Sequence, residues 1–221
     1  MSKRSNMEKI PRDLYETIDP NSVPSVFLDR VKGSRYAEPC CGSGQLVDRL
    51  SDFAVCKWAS DIHLLGYGIK WDAMCLSKHE LARCDLIITN PPYTKDVLLP
   101  MIDRFVGLKP TWLLLPADLM HNKYFRPYMR MCNEVISVGR LYWFTNDWVV
   151  EKELPLGTAT MKNITRVDHK IGREYYTGWW DSRGNKPAKS EYIRGTDNHC
   201  WFFWSDTNEC DTVFHTRGDP L

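Results

Sequence analysis

Short continuous apolar runs alternate along this chain with stretches in which apolar residues recur at helical spacing. The clearest run is Leu86, Ile87, Ile88 and Thr89, which proceeds without polar alternation and stops at Asn90-Pro91-Pro92-Tyr93. That is the pattern of a parallel strand buried on both faces. Thr111 to Pro116 (TWLLLP), Val135 to Phe144 (VISVGRLYWF) and Cys200 to Trp204 (CWFFW) are predicted as further strands, and shorter ones are predicted before the glycine turn at Gly42, over Ala54 to Ala59 and over Gly66 to Trp71. Between them lie predicted helices. Asp19-Pro20-Asn21 is a turn signal, Ser22 an N-cap, and Val23, Val26, Phe27, Leu28 and Val31 the apolar side of the first helix. Others follow Gly44 to about Leu50 and cover Ala73 to Ala82 and Lys95 to Val106, with a helix or loop-helix over HNKYFRPYMRM. Strands and helices in this alternation predict an α/β chain with a mostly parallel sheet.

Composition narrows the class. With 221 residues, 43% hydrophobic and 26% charged, the chain can bury one sizeable core and carry an appendage. Its 29 basic and 28 acidic residues exclude a strongly basic nucleic-acid-binding domain, so any such binding rests on local patches. Eight cysteines without a CxxC pair point to reduced thiols and away from disulfides or a zinc site. The N-terminus is polar and basic without an apolar core, and no stretch approaches a membrane span, so a soluble cytoplasmic protein is expected, with no metal and no membrane partner. Residues 1–12 read as a tail, and residues 207–221 as a second one. Residues 145–198, with aromatics and mixed charge but few aliphatics, read as an insertion or small subdomain in a domain formed by 13–144 and 199–206.

Chemistry is concentrated where the predicted strands end. Gly42 and Gly44 allow a tight turn and close backbone approach to a ligand, but Val47 stands where the dinucleotide fingerprint needs a third glycine. Asp61 lies 17 residues beyond Gly44, at the end of the second strand, where a carboxylate accepts hydrogen bonds from ribose hydroxyls; it equally suits a helix N-cap. Pro91 and Pro92 cannot continue a ladder and hold the backbone carbonyls beside Asn90 at the strand's carboxyl end. An amide oxygen and a carbonyl there can accept both hydrogens of a planar amino group, and Tyr93 offers a ring for stacking. Further on, Lys123, Arg126, Arg130 and Arg140 stand against Glu134 alone between 121 and 140, a basic segment suited to phosphates or simply to a solvated face.

Asn90-Pro91-Pro92-Tyr93 resembles the catalytic tetrapeptide of S-adenosylmethionine-dependent amino-group methyltransferases, which act on adenine in DNA, adenine in RNA or a glutamine side chain. Glu38-Pro39-Cys40-Cys41-Gly42-Ser43-Gly44 looks like the first motif of the nucleic-acid members, in which the acidic residue and glycines surround the methionine part of the cofactor. More loosely, Tyr15 and Thr17 resemble the N-terminal cofactor-covering Tyr-x-Thr-Pro motif, with Ile18 in place of the proline. The resemblance covers residues 13–120. It implies a Rossmann-like class I methyltransferase fold, with a mostly parallel seven-stranded sheet, helices on both faces and an antiparallel terminal hairpin. It also implies S-adenosylmethionine contacts from Tyr15, Thr17, Glu38, Pro39, Cys40, Gly42, Gly44, Asp61, Asp72 (adenine amino group) and Asn90, and catalysis by Asn90, Pro91, Pro92 and Tyr93.

Only about 50 residues separate the glycine motif from Asn90, which leaves no room for a recognition domain between them. Target reading is therefore expected after residue 120, and the resemblance implies adenine-N6 methylation of DNA, on a flipped base, by an enzyme that looks most like compact phage or prophage methyltransferases of an infected or lysogenic host. Lys123, Arg126 and Arg130, and in the insertion Arg166, Lys170 and Arg173, are the expected nucleic-acid contacts. RNA adenine methylation fits the same motifs. A protein-glutamine enzyme resembles an Asp-Leu-Gly-x-Gly-x-Gly first motif that is absent here, and a non-catalytic binding module leaves a full set of competent residues unexplained.

Overall fold

Strands β1 (Arg35–Glu38), β2 (Val55–Asp61), β3 (Ile69–Lys70), β4 (Leu86–Thr89), β5 (Thr111–Pro116) and β6 (Glu134–Tyr142) are followed by β7 (Val149–Pro155), β8 (Ile164–Asp168) and β9 (Arg173–Trp179). The chain then forms β10 (Arg194–Trp204) and β11 (Val213–His215). The helices are α1 (Ser25–Val31), α2 (Gln45–Leu50), α3 (Lys95–Val106) and α4 (Arg126–Arg130). This computed structural model describes residues 17, 19–63, 65–142, 149–155, 164–168, 173–179, 194–205, 210–216 and 218.

One sheet has the order β11-β6-β10-β5-β4-β1-β2-β3. Its β3, β2, β1, β4 and β5 are mutually parallel, and β10 runs antiparallel to β5. Asn133 lies against Phe203 and Val138 against Cys200, so β6 is antiparallel to β10 in turn. Burial explains why the central strands carry continuous apolar runs. Ala37, Ile87, Leu113, Leu115 and Phe202 face one core with Leu98, Ile102 and Phe105 of α3; their neighbours Tyr36, Ile88, Trp112, Leu114 and Trp201 face a second core with Phe27, Leu28 and Val31 of α1 and Leu46 and Leu50 of α2. Successive side chains on a strand point to opposite faces, so a strand covered by helices on both sides has no polar positions. The mostly parallel, two-faced architecture with an antiparallel end is the one the sequence implies.

Several boundaries differ. The sheet has eight strands, because β11 in the presumed C-terminal tail pairs in parallel with β6, Val213 opposite Glu134. Three residues, two of them largely exposed, carry too little pattern to announce a strand. Helix α1 starts at Ser25 after Pro24; Ser22 is buried in a 3-10 turn, its carbonyl accepting from the Trp201 indole N–H at 2.7 Å. The helix expected over Ala73 to Ala82 is a 3-10 turn at Ala73–Cys75 and further turns. There the Glu80 carboxylate takes both the N–H (2.9 Å) and the hydroxyl (2.5 Å) of Ser77, local bonds that compete with a continuing helix. The third strand is only Ile69–Lys70.

The chain divides into two compact units, Met1–Trp143 with Gly195–Leu221, and Phe144–Arg194. The second contains a three-stranded antiparallel sheet of order β7-β9-β8. Among the described residues no helix is long and apolar enough to cross a membrane, and no group of three or more His, Cys, Asp or Glu is placed to hold a metal ion.

Candidate active site

Strand order reverses between β1 and β4: the chain leaves β1 outward to β2 and β3, then returns to β4 and proceeds to β5 on the other side. The crevice at the carboxyl ends of two such strands is where an open α/β sheet receives ligands. A cavity lies there, and its lining includes Thr17, Glu38, Pro39, Cys40, Cys41, Gly42, Ser43, Asp61, Ile62, His63, Asp72, Asn90, Pro92, Val97 and Met101.

Glu38 ends β1 and is 1% exposed. Its Oε1 accepts the Thr89 hydroxyl from the end of β4 and, at 3.4 Å, the Cys40 N–H, whereas Oε2 is buried with no hydrogen-bond partner among the described residues. Burial pushes the carboxyl up to about 8, against the pull of the Thr89 and Cys40 bonds and with a further push from the Asp61 charge. A buried carboxylate oxygen without a donor is costly unless a ligand supplies one.

Asp61 ends β2 and straps the glycine turn to that strand, accepting from the Gly42 N–H at 3.0 Å through Oδ2 and from the His63 N–H at 2.8 Å through Oδ1. Gly44 has φ +92°, and a Cβ on it would stand 2.6 Å from Cγ of Tyr67, so the Tyr67 ring closes over a turn that admits no side chain. Helix α2 behind the turn has six residues, too few for the dipole effect that a longer helix would lend. Asp72 is exposed beyond β3 and caps its 3-10 turn through the Met74 N–H at 2.9 Å. Asp72 thus serves as an N-cap and also stands on the cavity wall.

Asn90 follows β4 and is gripped at both ends of its amide. Nδ2 donates to Oγ1 of Thr17 at 3.0 Å, and Oδ1 accepts the Tyr93 hydroxyl at 2.6 Å. Tyr93 packs beside His199 of β10, ring centroids 5.8 Å apart and tilted by 36°. His199 is 2% exposed, and burial drives its imidazole down to about 4, so it is neutral at pH 7. The structure therefore brings together Thr17, Glu38, Pro39, Cys40, Gly42, Asp61, Asp72, Asn90 and Pro92. Pro91, Tyr93 and Gly44 shape the neighbourhood without lining this cavity, and Tyr15 lies outside the described residues. Sequence reasoning missed Thr89 as the partner of Glu38, His199 beside Tyr93, and the Ile62-His63 wall. The first and last adjoin motifs it recognised; His199 belongs to no motif.

Lys123, Arg126 and Arg130 are exposed on a 3-10 turn and α4 after β5. Lys95, two residues past Tyr93, lies 4.7 Å over the Tyr124 ring and ties this basic segment to the start of α3. In the second unit Arg166 stands opposite Tyr175 and Arg173 opposite Asp168 in the strand register, and Lys170 lies outside the described residues.

No protein-family model matches the chain. No curated protein matches it either. Among solved structures it is similar to a putative class I S-adenosylmethionine-dependent methyltransferase from Listeria monocytogenes, at 11% identity over 96% of this chain and 69% of that one, with a TM-score of 0.50. It is also similar to the M protein of the type I restriction enzyme EcoKI (11% identity, 92% and 48% covered, TM-score 0.46) and to a putative RNA methyltransferase from Pyrococcus horikoshii (12%, 81% and 76%, 0.40). At such identities the likeness shows the fold, and that fold is the Rossmann-like class I methyltransferase fold.

Proposed function

We propose that this protein transfers a methyl group from S-adenosylmethionine to the exocyclic amino group of adenine in DNA. The observation that carries the reading is the charge of the cavity. Two exposed or hydrogen-bonded aspartates (Asp61, Asp72), the buried carboxyl of Glu38, which ionises most readily beside a cation, and no Lys or Arg stand among its described lining residues. Such a wall repels the diphosphate of a dinucleotide or nucleotide and attracts a ligand bearing a sulfonium and an ammonium. The orphaned Oε2 of Glu38 accepts from a cationic donor, Asp61 and Asp72 accept from hydroxyl and amino groups, and Ile62, Val97 and Met101 give apolar walls. When bound, S-adenosylmethionine supplies an electrophilic methyl whose departure leaves a neutral thioether.

Asn90 lines the same cavity. Adenine's amino nitrogen is a weak nucleophile because its lone pair is delocalised into the ring. Oδ1 of Asn90 and the Pro91 carbonyl, each accepting one amino hydrogen, favour a more tetrahedral nitrogen and aim its lone pair. Stacking on Tyr93 offsets part of the few kcal/mol that flipping a base out of a duplex costs, by about 1–3 kcal/mol.

The test pairs binding with turnover. Asn90→Ala is expected to keep S-adenosylmethionine affinity within a few-fold and to lower kcat by about 100-fold or more, because it removes an interaction made in the transition state. Calorimetric titration and a labelled-methyl transfer assay measure the two. Wild-type turnover in the variant would remove Asn90 from the chemistry.

A further inference from the structure

The contact between Thr17 and Asn90 carries an inference that rests on the reading above. Thr17 stands where the cofactor-covering motif was expected to touch the ligand, yet its hydroxyl accepts a hydrogen bond from Nδ2 of Asn90 at 3.0 Å. An asparagine amide can rotate by half a turn about its last torsion, exchanging a donor for an acceptor at nearly the same place. A hydroxyl both donates and accepts, so Thr17 grips the amide in either orientation, and what it sets is where the Asn90 side chain stands.

Thr17 is built to hold it. It is 4% exposed. The segment behind it is fixed by Asp19, which accepts the Asn21 backbone and side-chain N–H groups at 2.9 Å each, and by the Ser22 carbonyl on the Trp201 indole. Trp201 is itself stacked on Phe27, 4.1 Å between centroids and 5° from parallel. At the opposite end of the amide the Tyr93 hydroxyl donates to Oδ1, the atom that the target's amino hydrogen needs.

We propose that Thr17 is a positioning residue for Asn90: its hydroxyl and that of Tyr93 hold the two ends of the amide and fix where the Asn90 side chain stands, and the target amino group replaces the Tyr93 hydroxyl on Oδ1. Thr17→Val keeps shape and removes the hydroxyl; Thr17→Ser keeps the hydroxyl. Thr17→Val is expected to lower kcat by about tenfold or more with S-adenosylmethionine Kd within twofold, Thr17→Ser to restore kcat to within about threefold, and Thr17→Val in an Asn90→Ala background to lower it no further. A Thr17→Val variant with raised cofactor Kd and unchanged kcat would overturn the proposal in favour of a direct cofactor contact. So would losses that multiply in the double variant, or a Thr17→Val enzyme indistinguishable from wild type. Failure of the wild type to bind S-adenosylmethionine or to transfer its methyl would instead overturn the underlying reading.

Discussion

At the scale of single residues, Glu38 sets stability against function. Its carboxyl titrates near 4.5 when unfolded and is pushed up to about 8 by burial in the fold, so the folded chain holds a proton that the unfolded chain releases. The stability this contributes is complete below about pH 4.5 and is lost as pH rises toward about 8. Glu38→Gln, neutral throughout, is therefore expected to match the wild-type Tm at pH 5 and exceed it at pH 8, while binding S-adenosylmethionine more weakly. Wild-type affinity should rise from pH 6 to pH 8, because a cationic ligand prefers the ionised carboxylate, and Glu38→Gln should flatten that rise. Thermal scans and titrations at those pH values check the pair; a lower Tm for the glutamine at pH 8 would mean the charge is compensated in the ligand-free fold. Asn90 was legible in the sequence because it ends an apolar run, and Glu38 because it opens the stretch that resembles the first motif of the nucleic-acid methyltransferases. Their partners Thr89 and Thr17 were legible as residues but not as partners, since the contacts join positions 51 and 73 apart.

Elements were readable in proportion to the length of their pattern. Helix α3 and strand β5 have the bounds their sequence predicts, because twelve residues of helical spacing and the apolar run from Trp112 to Leu115 leave little choice. The stretch after Asp72 and the strand β11 depend on local side-chain bonds and on a neighbour, neither of which periodicity reports. The glycine turn is an intermediate case. GxG signals a turn, but the reason Gly44 is required lies 23 residues on, in the Tyr67 ring that closes over it. Gly44→Ala combines a left-handed backbone with that clash and is expected to cost about 1–3 kcal/mol of stability and to weaken cofactor binding. Chemical denaturation with parallel titration measures both. A variant as stable as wild type would show that Tyr67 can step aside without consequence.

For the whole molecule, the question is how target choice is divided from chemistry. The residues lining the cavity all come from the unit of Met1–Trp143 with Gly195–Leu221, so the segment Phe144–Arg194 is separable from them in sequence. We propose that it carries target recognition, and that joining β6 to β10 by a short turn preserves folding and S-adenosylmethionine affinity while specific methylation falls steeply; the same site modified at the same rate would relocate recognition to Lys123, Arg126 and Arg130. The overall architecture was legible because four strand ends in succession carry useful residues, which accident explains poorly. The choice between DNA and RNA was not, because the amino group, the ring face and the phosphates are common to both. The most direct test of the central claim is incubation of the purified chain with methyl-labelled S-adenosylmethionine and duplex DNA, single-stranded DNA and RNA in parallel, followed by mass spectrometry of the nucleosides. The account predicts labelled N6-methyldeoxyadenosine from DNA, absent with Asn90→Ala; label confined to RNA, to another base or to protein, or no label at all, would contradict it.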